Sequence, residues 1–175
     1  LDSQDKPVEK NGNIKIREMD IDDLAPVFHL GEALFKAEET PNLYRTWESY
    51  EVVGLFQSSG DFCLVAEAGG RIVGFALGDL IDKSRSAWKY GYLIWLGVAP
   101  EYQKQGVAEK LFRRFKDLAM ENGARMLMAD TQAGHLPALR FFRKMGFGHP
   151  QQHTYLTMNL VAERQRRQKK KNGGK

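Results

Sequence analysis

The amino-acid sequence predicts an α/β domain with a mixed, largely antiparallel sheet and about four flanking helices, and three observations carry that prediction. Phe62–Ala68 and Arg71–Leu80 read as two strands joined by Gly69-Gly70, and Trp88–Val98 as a long third strand of the same kind. From Gly106 the apolar period becomes 3.6, the mark of a helix laid on a core. Strand-like and helix-like segments then alternate as far as Leu160, which layers helices against a sheet. The 175 residues amount to a single domain.

Residues 1–12 are polar, contain Pro7 and Gly12, and read as a mobile lead-in to a domain over 13–162. Ile14-Lys15-Ile16-Arg17 alternates as a short strand. Behind it Leu24, Val27, Phe28, Gly31, Leu34 and Phe35 recur at helical spacing. Pro26 is harmless only in a first turn, where its missing N–H has no partner, so Asp23 is the expected N-cap rather than Asp20. A second helix is expected over Trp47–Phe56, capped by Thr46 and closed by Ser58-Ser59-Gly60. Gly69-Gly70 joins the next two strands as a hairpin, because both residues accept positive φ. In the helix after Gly106, Val107, Ala108, Leu111, Phe112, Phe115, Leu118 and Ala119 form one stripe, and Asn122-Gly123 ends it. Met126–Ala129 reads as a strand, Leu136–Met145 as a helix stopped by Gly146, and Thr154–Leu160 as a final strand. There is no internal repeat.

Hydrophobic residues at 42% and charged residues at 27% exclude wholesale disorder. The longest apolar run, Tyr92–Ala99, is far short of the roughly 18 residues of a membrane span, so no membrane partner is expected. Leu1-Asp2-Ser3-Gln4-Asp5 lacks the basic and then apolar character of a signal peptide, although a chain opening on Leu leaves its true start open. A lone cysteine, Cys63, makes neither an internal disulfide nor a multi-cysteine metal site; it reads as a small buried hydrophobe in a cytoplasmic, reducing setting. His29 falls on the polar side of its helix, and His149 and His153 are separated by a loop, so no metal is expected. Trp47, Tyr50 and Trp88 read as packing residues.

The net charge of +4 is unevenly distributed. Residues 163–175 hold seven Lys or Arg against Glu163, or +6, while the other 162 residues carry 19 basic and 21 acidic side chains, or −2. The body therefore has no basic nucleic-acid face; contact with nucleic acid is expected only weakly, through the tail. With no apolar residue, 163–175 cannot join a core and reads as a basic disordered tail or a fraying helical extension.

The stretch richest in chemistry is Leu96-Gly97-Val98-Ala99-Pro100-Glu101-Tyr102-Gln103-Lys104-Gln105-Gly106-Val107-Ala108. A strand ends, a tight loop follows, and glycine opens an amphipathic helix. The first N–H groups of a helix lack partners and carry the positive end of its dipole, so an anion fits there. Gly106 allows close approach and Lys104 adds charge. By itself this means a phosphate-bearing ligand or a plain structural turn.

Gln103-x-x-Gly106-x-Ala108 resembles the Gln/Arg-x-x-Gly-x-Gly/Ala signature of the GCN5-related N-acetyltransferases, the GNAT superfamily. Leu96-Gly97-Val98-Ala99-Pro100 is similar to that family's fourth-strand end. His135-x-x-Ala138-x-x-Phe141-Phe142-x-x-x-Gly146-Phe147 resembles its Asn-x-x-Ala-x-x-Phe-Tyr-x-x-x-Gly-Phe element. The order of elements agrees from Ile14 to Leu160, and the pattern is nearest to the bacterial protein and ribosomal-protein N-acetyltransferases.

The resemblance implies a GNAT-like sheet splayed between the fourth and fifth strands and an acetyl-CoA site, acetyl-CoA being the co-substrate. Backbone groups of Leu96, Gly97 and Val98 would pair with the pantetheine arm. Amides of Gln103, Lys104, Gln105, Gly106, Val107, Ala108 and Glu109 would hold the pyrophosphate, and His135 and Phe142 would complete the coenzyme side. The acceptor amine attacks the thioester directly, so the protein must take a proton from an ammonium, stabilise an oxyanion through the Val98 N–H, and help a thiolate leave.

Two positions depart from the family pattern. The Asn of the second element is His135, and the Tyr that donates to the departing thiolate is Phe142, which has no proton to give. Either the thiolate leaves unaided, with a thiol pKa of about 8.5, or Tyr155 substitutes. Asp130, which stands where the ribosomal-protein acetyltransferases have a glutamate, is the first candidate base; its alternative role is to cap the following loop with Thr131. Tyr92 is the second candidate. The acceptor side is expected along Lys36–Trp47, where Glu38 and Glu39 lie among aromatics and suit a cationic amine. A protein lysine or N-terminus is the leading acceptor, a polyamine or amino sugar the alternative, and a non-catalytic acyl-CoA-binding protein the reading from a different class. Monomer and homodimer both fit.

Overall fold

The computed structural model describes residues 13–36, 46–82, 88–151, 154 and 158–172 of the chain. Five strands, β1 (Lys15–Glu18), β2 (Cys63–Ala68), β3 (Arg71–Asp82), β4 (Lys89–Val98) and β5 (Ala124–Ala129), lie side by side in sequence order. The first three pairings are antiparallel and β4–β5 is parallel, giving the expected mixed sheet. Gly69 and Gly70 take φ of +57° and +76°, the geometry the β2–β3 hairpin requires.

Five helices accompany the sheet: α1 (Leu24–Leu34), α2 (Ser49–Ser59), α3 (Val107–Glu121), α4 (Leu136–Lys144) and α5 (Leu160–Asn172). The α3 stripe is buried as the 3.6 period requires, with Val107, Leu111, Phe112, Phe115, Leu118 and Ala119 packed into one core with Leu64, Ala66, Val73, Ala76 and Leu93. A second core joins Val27 and Val52 to Val65, Phe75, Leu77 and Trp95. Alternation along β2 and β3 feeds the two cores in turn, so each of these strands is buried on both faces.

Some local expectations need correction. Asp23 precedes α1, which leaves Pro26 in the first turn, but its side chain caps nothing in α1. A 3₁₀ turn over Ile21–Asp23 comes first, and the Asp23 carboxylate accepts the Asp20 N–H at 2.8 Å. It also takes two guanidinium hydrogen bonds from Arg17, at 2.5 and 3.0 Å, while Arg17 Nε donates to Glu67 at 2.8 Å. This network ties β1, β2 and the entry to α1 together. The second helix begins at Ser49 rather than Trp47, because the Trp47 indole turns inward, 7% exposed, and donates to the Phe28 carbonyl at 2.9 Å. Tyr50 and Trp88, expected to pack, are 86% and 44% exposed. Cys63 is buried as expected, and desolvation pushes its thiol up to about 12.

Of the expected strand over Thr154–Leu160, residues 155–157 lie outside the described residues, Thr154, Met158 and Asn159 are not in a strand, and Leu160 opens α5 instead. The Asn159 side chain explains the switch: it accepts the Ala162 N–H at 3.0 Å, as an N-cap does. Of the two forms open to the basic tail, the helical one is present as far as Asn172, rather than disorder from residue 163. Among the described residues, no helix is long and apolar enough to cross a membrane.

Candidate active site

The site begins with an irregularity in pairing. Leu77 of β3 faces Trp95, but its neighbour Gly78 faces Leu93, so Ile94 is an extra residue on β4. Such a β-bulge bends its strand and increases its twist. Ile94 and Trp95 consequently both join the core on the α1–α2 side. The last β4–β5 pair is Leu93 with Ala129, beside the bulge, while β4 continues along β3 to Val98. The two parallel strands therefore part at Leu93, which is the expected splay.

The ladder fixes which groups face the gap. Ala99 N–H donates to Val73 O at 2.9 Å, so by antiparallel alternation Gly97 also turns its N–H and C=O to β3. Leu96 and Val98 turn theirs to the other side, where β5 has ended. Of the three residues expected to line the gap with backbone groups, Gly97 is thus engaged by β3; a Cβ on it would come within 2.8 Å of Leu34 and Phe75. The Val98 carbonyl is taken by the Gln103 side-chain amide at 3.1 Å, leaving its N–H as the donor aimed into the gap.

Below the gap, Pro100–Tyr102 forms a 3₁₀ turn and the chain curls into α3 through two left-handed residues, Lys104 at φ +59° and Gly106 at +80°. Lys104 in this conformation is something spacing alone could not reveal. Gln105 braces the curl by donating to the Glu101 carbonyl at 2.7 Å. Gly106 is the N-cap residue, so no side chain caps α3, and a Cβ there would meet nothing within 4 Å. A first turn without a side-chain cap, open to approach, suits a diphosphate. Glu109, in the same turn, pairs with Lys144 of α4 and lies 3.9 Å from Arg113. Lys144 holds the Glu109 carboxyl below the usual range, and the pairing offsets a charge that would repel a phosphate.

At the other rim, the Tyr92 hydroxyl donates to the Asp130 carboxylate at 2.9 Å. Tyr92 pairs in register with Met128, which puts Asp130, just beyond the end of β5, within its reach. The two candidate bases are therefore one unit, a contact made by the parallel register and invisible in the sequence. Thr131 Oγ1 lies 3.4 Å from His135 Nδ1, so Thr131 engages the residue that caps α4. Phe142 packs its ring 5.5 Å from Phe141 and 5.2 Å from Phe147, as part of the apolar joint by which α4 leans on Phe112 of α3. Tyr155 and most of the expected acceptor stretch, residues 37–45 with Glu38 and Glu39, lie outside the described residues. Among the described residues, no cluster of His, Cys, Asp and Glu could hold a metal.

This arrangement has known counterparts. The sequence profile of the acetyltransferase (GNAT) family matches residues 27–147, and the chain belongs to that family. Among similar proteins, N-alpha-acetyltransferase 30 of Schizosaccharomyces pombe is 29% identical over 87 residues, 50% of this chain and 57% of that protein. The N-terminal acetyltransferase B complex catalytic subunit NAA20 of Arabidopsis thaliana is 29% identical over 89 residues, half of each chain. The mycothiol acetyltransferase of Pseudarthrobacter chlorophenolicus is 31% identical over 86 residues, 49% of this chain and 27% of that protein. The chain thus spans less than two thirds of the length of these relatives. The fold is that of an aminoglycoside N-acetyltransferase, AAC(6')-Iy, solved in complex with CoA, with a TM-score of 0.67 and 18% identity over 86% of this chain and 98% of that one. It is also that of an acetyltransferase of Trypanosoma brucei, with a TM-score of 0.64 and 20% identity over 83% and 100% of the two chains.

Proposed function

We propose that the chain transfers an acetyl group from acetyl-CoA directly to a primary amine, with a protein N-terminus or lysine as acceptor. The observation that carries this reading is the parting of β4 and β5 at Leu93 and Ala129, on the strand that runs on through Pro100–Tyr102 into the open first turn of α3. Leu96 and Val98 would hold the amide-bearing arm of the coenzyme as a strand holds its neighbour. The turn from Gln103 to Glu109 would hold the diphosphate. The coenzyme supplies an activated acetyl thioester; the protein's own residues supply position and proton traffic.

In that setting the Asp130 carboxylate, oriented by the Tyr92 hydroxyl, removes a proton from the acceptor ammonium. The freed nitrogen forms a bond to the acetyl carbon, the carbon–sulfur bond breaks, and the nitrogen's second proton passes to the departing thiolate or to water. The Val98 N–H receives the growing negative charge on the carbonyl oxygen. The departing thiolate needs little help, because a thiol with a pKa of about 8.5 is a fair leaving group near neutral pH. Phe142 has no hydroxyl to offer, and Tyr155 is the remaining candidate donor.

Support for a protein acceptor comes from two of the relatives, which are named for acetylating protein N-termini. The mycothiol acetyltransferase favours a small-amine acceptor as the second reading. Acetyl-CoA consumption with a panel of peptides differing at their first residues, beside free polyamines and amino sugars, separates the two. Peptide turnover is expected; turnover only of the free amines would overturn the protein acceptor, and no turnover with either would favour the non-catalytic alternative.

A further inference from the structure

The strongest unassigned feature is α5. Its 13 residues, about 20 Å of helix, begin at an Asn159 cap and carry Arg164, Arg166, Arg167, Lys169, Lys170 and Lys171 against the single acid Glu163. That acid is taken by Arg167, whose Nε donates to it at 2.9 Å. Arg164 and Arg166 are exposed and form no ion pair among the described residues. Leu160 and Val161, 70% and 67% exposed, belong to neither hydrophobic core. Among its described side chains, Arg164 to Gln168 are all exposed, so this part of the helix is a cationic rod facing solvent.

We propose that α5 is a docking element for double-helical RNA, held through its phosphates. Charge complementarity selects a polyanion: a helix with this excess of like charge repels itself, and phosphate contacts relieve the repulsion while releasing counterions. Arginine matches phosphate with two parallel hydrogen bonds, and three arginines lie within four residues. A membrane surface fits poorly, because no apolar residue follows Ala162 to form an inserting face. Single strands fit poorly too, because the helix has no aromatic ring on which a base could stack. An A-form duplex sets its phosphates along a deep, narrow groove, whose two strands a single rod neutralises together. The body of the chain carries −2, so the helix alone must supply the attraction.

The test is fluorescence anisotropy of the full chain against a labelled RNA duplex of about 16 base pairs. A DNA duplex of the same sequence and vesicles of mixed phosphatidylserine and phosphatidylcholine serve as competitors. Binding to RNA is expected to weaken on the order of a hundredfold between about 50 and 200 mM salt, the response of some four phosphate contacts. Replacing Arg164, Arg166 and Arg167 together by Glu should abolish it while leaving acetyl-CoA-dependent turnover unchanged. Circular dichroism shows whether that variant keeps its fold, and deletion of residues 163–175 provides a second loss-of-charge variant that touches no core residue. Full-strength RNA binding by either variant, a flat salt response, equal binding of the DNA duplex, or preferential binding of the vesicles would each overturn the proposal.

Discussion

Asp130 and Tyr92 show how much can rest on one hydrogen bond. Asp130 could be singled out from its position after a strand and Tyr92 from its position before the gap, but only the β4–β5 register brings hydroxyl and carboxylate to 2.9 Å. Asp130→Asn keeps the shape and removes the proposed base, so turnover should fall at least about tenfold while the affinity for coenzyme A stays nearly the same; steady-state kinetics check this, and unchanged turnover removes Asp130 from the mechanism. Asp23 works differently, since it is a buried acid far in role from the chemistry. The Arg17 guanidinium holds its carboxyl below the usual carboxylate range. A depressed pKa contributes stability that is fully present above the unfolded value of about 3.9 and is lost as pH falls through the folded one. Urea midpoints measured from pH 6 downwards should therefore drop in the acid range. Asp23→Asn should lower stability by roughly 2 kcal/mol at neutral pH, less than for a fully buried pair because Arg17 is partly exposed, and should lose much of that acid dependence. A variant with the parent's stability and pH profile would contradict this role.

At the scale of elements, α3 was legible because it buries a regular stripe, and β2 and β3 because their apolar runs, buried on both faces, are separated by the Gly69-Gly70 turn. What escaped was set by pairing or by single side chains. The β4 bulge depends on how β3 and β4 match, so nothing in Ile94 itself signals it. Trp47 follows Thr46 and fits the start of a helix by type, yet its indole is buried in the second core and donates to the Phe28 carbonyl, and α2 starts at Ser49. The loop into α3 was legible through Gly106, though the left-handed Lys104 was not. Gly106→Val tests that element. A β-branched residue at φ +80° should cost about 1–2 kcal/mol, measured by urea unfolding. It should also raise KM for acetyl-CoA tenfold or more, because its side chain projects into the space the diphosphate requires. A KM like the parent's would mean the turn does not touch the coenzyme.

At the scale of the whole molecule, the sheet divides the labour. One face carries α3 and, through Phe112, α4, the proposed coenzyme side. The other carries α1 and α2. Charge is divided as well, a slightly acidic body against a basic α5, so solution behaviour inferred from the pI describes the tail and not the fold. The family was legible because two of its motifs lie on the end of β4 and the turn into α3, and the third on α4, which packs on Phe112 of α3. The acceptor was not, because no motif of the sequence names the groups that would bind it. Calorimetric titration of coenzyme A into the full chain addresses the whole arrangement at once. One molecule should bind per chain with a dissociation constant in the micromolar-to-millimolar range typical of enzyme substrates, and dephosphorylated pantetheine should bind far more weakly. No heat at saturating coenzyme A, or equal affinity for pantetheine lacking the diphosphate, would contradict a site built on the open turn of α3.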